Sequence, residues 1–167
     1  MRALLVMDMQ EKVLGKNRDK KYSYESNELI NNINKEINKF DKENVFYIKT
    51  INKKNLINKV LSKNLYENMP ESKLVNNLSI VNKMFIEKES NNVFKNKTFD
   101  ERLKKAKIDE LQIVGIDTCG SILDSVLSGV KKGYKIIINK NLTATIKKEK
   151  IEKIYKKMQD KGVKILN

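Results

Sequence analysis

The stretch Leu111-Gln112-Ile113-Val114-Gly115-Ile116-Asp117-Thr118-Cys119-Gly120-Ser121-Ile122-Leu123 decides the fold. Its first half, Leu111 to Ile116, is a short apolar run that suits a strand buried on both faces. Its second half is polar and leads into Ile122, Leu123, Val126, Leu127 and Val130, which recur at helical spacing. Gly133 is placed to end that helix before a further apolar strand, Tyr134 to Ile138.

The same alternation extends in both directions. Arg2 to Met7 is an apolar run ending at Asp8, and Leu29, Ile30, Ile33, Ile37 and Phe40 then trace one face of a helix beginning near Ser26. Val45 to Thr50 reads as the second strand and Ile80 to Glu87 as the third, with a loop from Lys88 to Lys97. Between them, Ile51 to Leu78 is polar, holds the only proline, Pro70, and is expected to carry one or two short helical pieces. Thr98 and Glu101 have the T-x-x-E spacing of a capping box for a short helix through about Lys107. Ile151, Ile154, Tyr155 and Met158 mark a last helix stopping at Gly162, and Val163 to Leu166 a last strand. Alternating strands and helices call for an α/β three-layer sandwich with a mainly parallel sheet of about six strands. One domain over residues 1–167 is expected.

Composition narrows the function. Lys and Arg number 35 against 21 Asp and Glu, a formal net charge of +14. The lysines are scattered along helix faces and loops with no basic stripe interleaved with aromatics, so a solvated basic surface is expected and no nucleic-acid partner. Histidine is absent, which excludes a Ser-His-Asp triad, a histidine base and a histidine-based metal site. The single cysteine cannot form an internal disulfide, and no signal-peptide pattern opens the chain, so a reducing, cytoplasmic setting is expected. The apolar runs fall far short of the roughly 20 residues of a spanning helix, so no membrane partner is expected.

In a parallel sheet the carboxyl ends of the strands converge on one edge. That brings together Asp8 after the first strand, Lys88 after the third and the segment Cys119 to Ser121 after Leu111 to Ile116. An acid, an ammonium and a thiol or hydroxyl can serve as proton shuttle, activator and nucleophile without histidine. Plainer roles exist for each: Asp8 as a turn cap, Lys88 as a surface lysine, Cys119 as a buried small hydrophobe and Ser121 as a helix N-cap.

These residues carry a family resemblance. Leu4-Leu5-Val6-Met7-Asp8-Met9-Gln10 resembles the first strand and catalytic acid of the isochorismatase-like cysteine hydrolases, which include nicotinamidases and other small amidases. Phe85-Ile86-Glu87-Lys88, with Phe94 beyond it, resembles that family's lysine segment, and Ile113 to Thr118 with the helix through Val126 and Gly133-Tyr134 is similar to its nucleophile strand, turn and helix. The resemblance implies a small-molecule substrate, no cofactor and self-association into a homo-oligomer. It also implies a non-proline cis bond between Ile116 and Asp117, with oxyanion donors from Asp117 and Ser121.

The departures matter as much. Ungapped counting from Gly115 forward and from Gly133 back puts Ser121 at the position of the family's nucleophilic cysteine, while Cys119 falls two residues earlier. Nicotinamidases typically hold a divalent ion with an aspartate and histidines after the second strand. The comparable stretch here is Thr50-Ile51-Asn52-Lys53-Lys54, so no such metal is expected. Asn141 stands where an acidic residue is common in the family. Three accounts fit: a rearranged turn that delivers Cys119, chemistry that runs through Asp8 or Ser121 without a cysteine, or a retained fold that binds or assembles with little catalysis.

Overall fold

The computed structural model describes residues 1–52 and 65–167. Six strands form one sheet in the order β3-β2-β1-β4-β5-β6: β1 Arg2–Met7, β2 Val45–Thr50, β3 Phe85–Lys88, β4 Glu110–Ile116, β5 Lys135–Ala144 and β6 Lys164–Leu166. Every pairing is parallel. Five α-helices are described: α1 Glu11–Leu14, α2 Ser26–Ile37, α3 Lys97–Lys105, α4 Leu123–Lys131 and α5 Ile151–Gln159.

Alternation along β1 builds two cores. Ala3, Leu5 and Met7 face Phe99 and Leu103 of α3, Val126 of α4 and Met158 of α5. Leu4 and Val6 face Leu29, Ile30, Ile33 and Ile37 of α2. Helices therefore cover both faces, giving the three-layer arrangement that a parallel sheet requires. The chain runs from β1 out to β2 and β3, then crosses to β4 on the opposite side of β1. The strand order thus reverses between β1 and β4, where open α/β sheets place their ligand crevice.

Several local readings are corrected. The third strand begins at Phe85 rather than Ile80, because side chains satisfy the backbone that precedes it. Tyr47 Oη donates to the Ser79 carbonyl at 2.7 Å and accepts from Val81 N–H at 3.0 Å, and Asn82 Oδ1 accepts from Met84 N–H at 2.6 Å. The capping box at Thr98 and Glu101 does not form. Asn96 Oδ1 takes the Phe99 N–H at 3.3 Å, and Thr98 Oγ1 donates to that same oxygen at 2.8 Å. The strand read as Tyr134 to Ile138 extends to Ala144 through the polar Asn139-Lys140-Asn141 and a register shift opposite Gly115. In the stretch from Ile51 to Leu78, the one helical piece among the described residues is a 3₁₀ turn, Pro70–Ser72. Residues 53–64 of that stretch, including Lys53 and Lys54, lie outside the described residues.

One polar cluster ties α3 to the turn before β5. Asp100, 8% exposed, accepts from Tyr134 Oη at 2.9 Å and from Lys132 Nζ at 3.0 Å, with Lys104 Nζ at 2.9 Å. Burial alone pushes the Asp100 carboxyl up, but the bonds from Lys104, Lys132 and Tyr134 together outweigh it and hold it below its ordinary value. A depressed carboxylate contributes stability that is present above its unfolded value, near 3.9, and is lost as pH falls through the lower folded value. We expect Asp100→Ala to cost about 1–3 kcal/mol at neutral pH, by leaving Tyr134 and Lys132 without their acceptor. Urea melts at pH 7 and pH 3 check this, with the difference between variant and parent shrinking at the lower pH.

Candidate active site

Four strand ends deliver the site. Asp8 follows β1 in the left-handed region, φ 52°, which aspartate tolerates better than most side chains. Its own N–H is held by the Ile48 carbonyl at 2.9 Å, and its carbonyl accepts from Gln10 N–H at 2.8 Å. Such a conformation persists only where neighbours over-determine it.

Lys88 ends β3. Phe85 and Glu87 are exposed and Ile86 and Lys88 buried, so strand alternation carries the lysine into the protein with only 1% of its side chain accessible. Its register partner on β2 is Thr50.

Ser121 comes from the turn after β4. Thr118–Ile122 form a single π-helical turn leading into α4, in which the Asp117 carbonyl accepts from both Gly120 N–H and Ile122 N–H at 3.0 Å. Single π turns are frequent at functional sites. The Asp117 side chain caps this turn through Cys119 N–H at 3.0 Å, so Asp117 is the N-cap and Ser121, read from sequence as a cap, sits inside the turn instead. The Ile116–Asp117 peptide bond is cis.

These segments meet. Lys88 Nζ lies 2.9 Å from Asp8 Oδ2 and donates to Ser121 Oγ at 2.8 Å and to Thr50 Oγ1 at 2.5 Å. Ser121 Oγ–H in turn donates to Asp8 Oδ2 at 2.7 Å, and Thr50 Oγ1–H donates to Asp8 Oδ1 at 2.8 Å. The ammonium thus donates to two hydroxyls and ion-pairs with the carboxylate, and each hydroxyl accepts from Lys88 and donates to Asp8.

Cys119 is not in this network. Its sulfur lies 3.9 Å from the Lys147 carbonyl, and neither Asp8 nor Lys88 hydrogen-bonds to it. The turn therefore presents Ser121, not Cys119, to the carboxylate and the ammonium.

Two contributors escaped the sequence reading. Thr50 bridges Asp8 and Lys88. Gln10, 2% exposed, clamps Thr50 from both sides: its Oε1 accepts from Thr50 N–H at 2.9 Å, and its Nε2 donates to the carbonyls of Thr50 at 3.0 Å and Ser72 at 2.9 Å. The signal available for Thr50 was its place at the carboxyl end of a strand, the same signal that singled out Asp8.

The residues do not suit a divalent cation of the aspartate and histidine type. The chain has no histidine, residues 51–66 hold no acidic residue, and Lys88 already places a positive charge on the Thr50 hydroxyl. Among the described residues no group of three or more His, Cys, Asp or Glu could hold a metal.

A carboxylate, an ammonium and a hydroxyl thus lie together at the carboxyl edge of a parallel α/β sheet, beside its topological switch point. The isochorismatase-domain profile matches residues 2–167, and the chain belongs to that family of hydrolases. Similar solved structures cover 99% of it. They include an isochorismatase-like hydrolase from Alkaliphilus metalliredigens, with a TM-score of 0.84, 18% identity and 94% of that chain covered. N-carbamoylsarcosine amidase from Thermoplasma acidophilum gives 0.82 at 15% identity over 95% of its chain. The pyrazinamidase of Pyrococcus horikoshii, solved with zinc, gives 0.84 at 21% over 98%. No curated protein matches the sequence.

Proposed function

We propose that this protein hydrolyses a small amide, with Ser121 as nucleophile, Asp8 as the group that takes and returns its proton, and Lys88 as the fixed positive charge between them. The observation that carries the reading is the 2.7 Å hydrogen bond from Ser121 Oγ–H to Asp8 Oδ2, made while the same oxygen accepts from Lys88. A serine hydroxyl is a weak nucleophile near neutral pH and needs a base in contact with its proton, and the carboxylate supplies one. The ammonium stabilises the negative charge that develops on the oxygen as the proton leaves.

Ser121 Oγ attacks the carbonyl carbon while its proton passes to Asp8. The carbonyl oxygen becomes an oxyanion held by the N–H groups of Asp117 and Ser121. The C–N bond then breaks as Asp8 gives the proton to the departing amine, leaving an acyl-serine. Water then attacks the acyl carbon while losing a proton to Asp8, and the C–Oγ bond breaks as Asp8 returns that proton to Ser121 Oγ, releasing the carboxylic acid and restoring the starting site. The same reading has the chain acting as one domain on a small molecule in the cytoplasm, as a self-associated assembly.

The test is ammonia or amine release from a panel of small carboxamides and ureido compounds by the wild type and by Ser121→Ala. We expect turnover in the wild type and a loss of about 100-fold or more in the variant. Full, Asp8-dependent turnover by Ser121→Ala would reject the serine as nucleophile in favour of direct acid catalysis by Asp8. No turnover of any substrate by the wild type would favour a binding or assembly protein.

A further inference from the structure

We infer that Thr50 is a positioning residue for this site, its hydroxyl occupying Asp8 Oδ1 so that Oδ2 alone faces Ser121, and fixing the rotation of the Lys88 ammonium. The inference rests on the proposed roles of Asp8, Lys88 and Ser121, and assigns how that arrangement is held.

The carboxylate of Asp8 has one soft torsion at its end, and without a restraint either oxygen could rotate toward the nucleophile. Thr50 Oγ1–H claims Oδ1 at 2.8 Å, and Lys88 and Ser121 share Oδ2 at 2.9 Å and 2.7 Å. The ammonium is equally free to spin about its own axis unless fixed acceptors engage its donors. Thr50 Oγ1 is one of its two hydroxyl acceptors, at 2.5 Å beside Ser121 Oγ at 2.8 Å, and sits on the register partner of Lys88 itself.

The positioner must itself be rigid. Thr50 is a β-branched residue at the end of a strand, with a restricted side-chain torsion. Gln10 holds its N–H and its carbonyl, and Ile51 N–H, next along, donates to the Lys88 carbonyl at 2.9 Å. A hydroxyl is the one group here that can accept from the ammonium and donate to the carboxylate simultaneously.

Thr50→Val removes both bonds at nearly constant volume, and Thr50→Ser keeps the hydroxyl. In the wild type the Lys88 ammonium should give a slowly exchanging proton–nitrogen NMR signal, assigned by its loss in Lys88→Met. Thr50→Val should speed that exchange by about fivefold or more, with Thr50→Ser close to the wild type. With an amide that the wild type turns over, Thr50→Val should lower kcat by about 10-fold to 100-fold while KM moves less than about threefold, and Thr50→Ser should recover most of the loss. Unchanged exchange in Thr50→Val, or a Thr50→Ser protein as impaired as Thr50→Val, would overturn the inference. Because the exchange measurement needs no substrate, a wild type without amidase activity would sink the proposed reaction and leave this measurement to decide the role of Thr50 alone.

Discussion

Asp8→Ala is expected to lose about 1,000-fold in amide turnover and, unusually for an active-site change, several kcal/mol of stability as well. The two losses have different origins. Turnover falls because the only group in contact with the Ser121 proton is gone, and the neighbouring ammonium cannot accept it. Stability falls because the Lys88 side chain, 1% accessible, is left as a buried charge with two neutral hydroxyls in place of a counter-ion. Breaking one side of a buried ion pair costs about 3–5 kcal/mol. Adding Lys88→Met to Asp8→Ala removes the orphaned charge and should restore most of the stability while restoring none of the turnover. Urea melts of the single and double variants, beside amide assays, test both parts. A double variant no more stable than Asp8→Ala would mean that Lys88 is not a desolvated partner of Asp8 at all.

The way the sequence encodes this site explains what could be read from it. Asp8 was legible because an acid closing the apolar run of β1 has no apolar reason to be there, and in a parallel sheet that position points into the crevice. Ser121 was legible by counting between Gly115 and Gly133, two glycines that the structure holds at positive φ, 111° and 90°. Lys88 stood out by its place after the third strand and by family resemblance, but its burial was harder to read. Its burial depends on strand alternation across only four residues, in a chain where lysine is the commonest way to be exposed. Thr50 offered only its place at the carboxyl end of a strand and Gln10 offered nothing, since their roles lie in bonds between separate segments, such as Gln10 to Thr50, that no local pattern encodes. The capping box misled for a related reason: T-x-x-E is a local pattern, and Asn96, one residue before α3, was better placed to take the Phe99 N–H.

Gly115→Ala is expected to cost more than about 4 kcal/mol, enough to leave little folded protein. Gly115 pairs with Met7, and a methyl built on it would stand 2.1 Å from the Met7 carbonyl oxygen and 2.9 Å from its nitrogen. Backbone of a central strand cannot swing aside as a flexible side chain can, so β1 and β4 would have to separate. Those are the two strands whose ends bring Asp8 to the Ser121 turn. The backbone adds its own penalty, because φ 111° is a region that side chains with a Cβ rarely occupy. Gly133 separates the two effects: at φ 90° it carries a comparable conformational strain, yet a Cβ there would meet nothing within 4 Å. Gly133→Ala should consequently cost only about 1–2 kcal/mol, the conformational part alone. Equal losses in the two variants, measured by denaturant unfolding, would show that conformation rather than the contact with Met7 requires glycine at position 115.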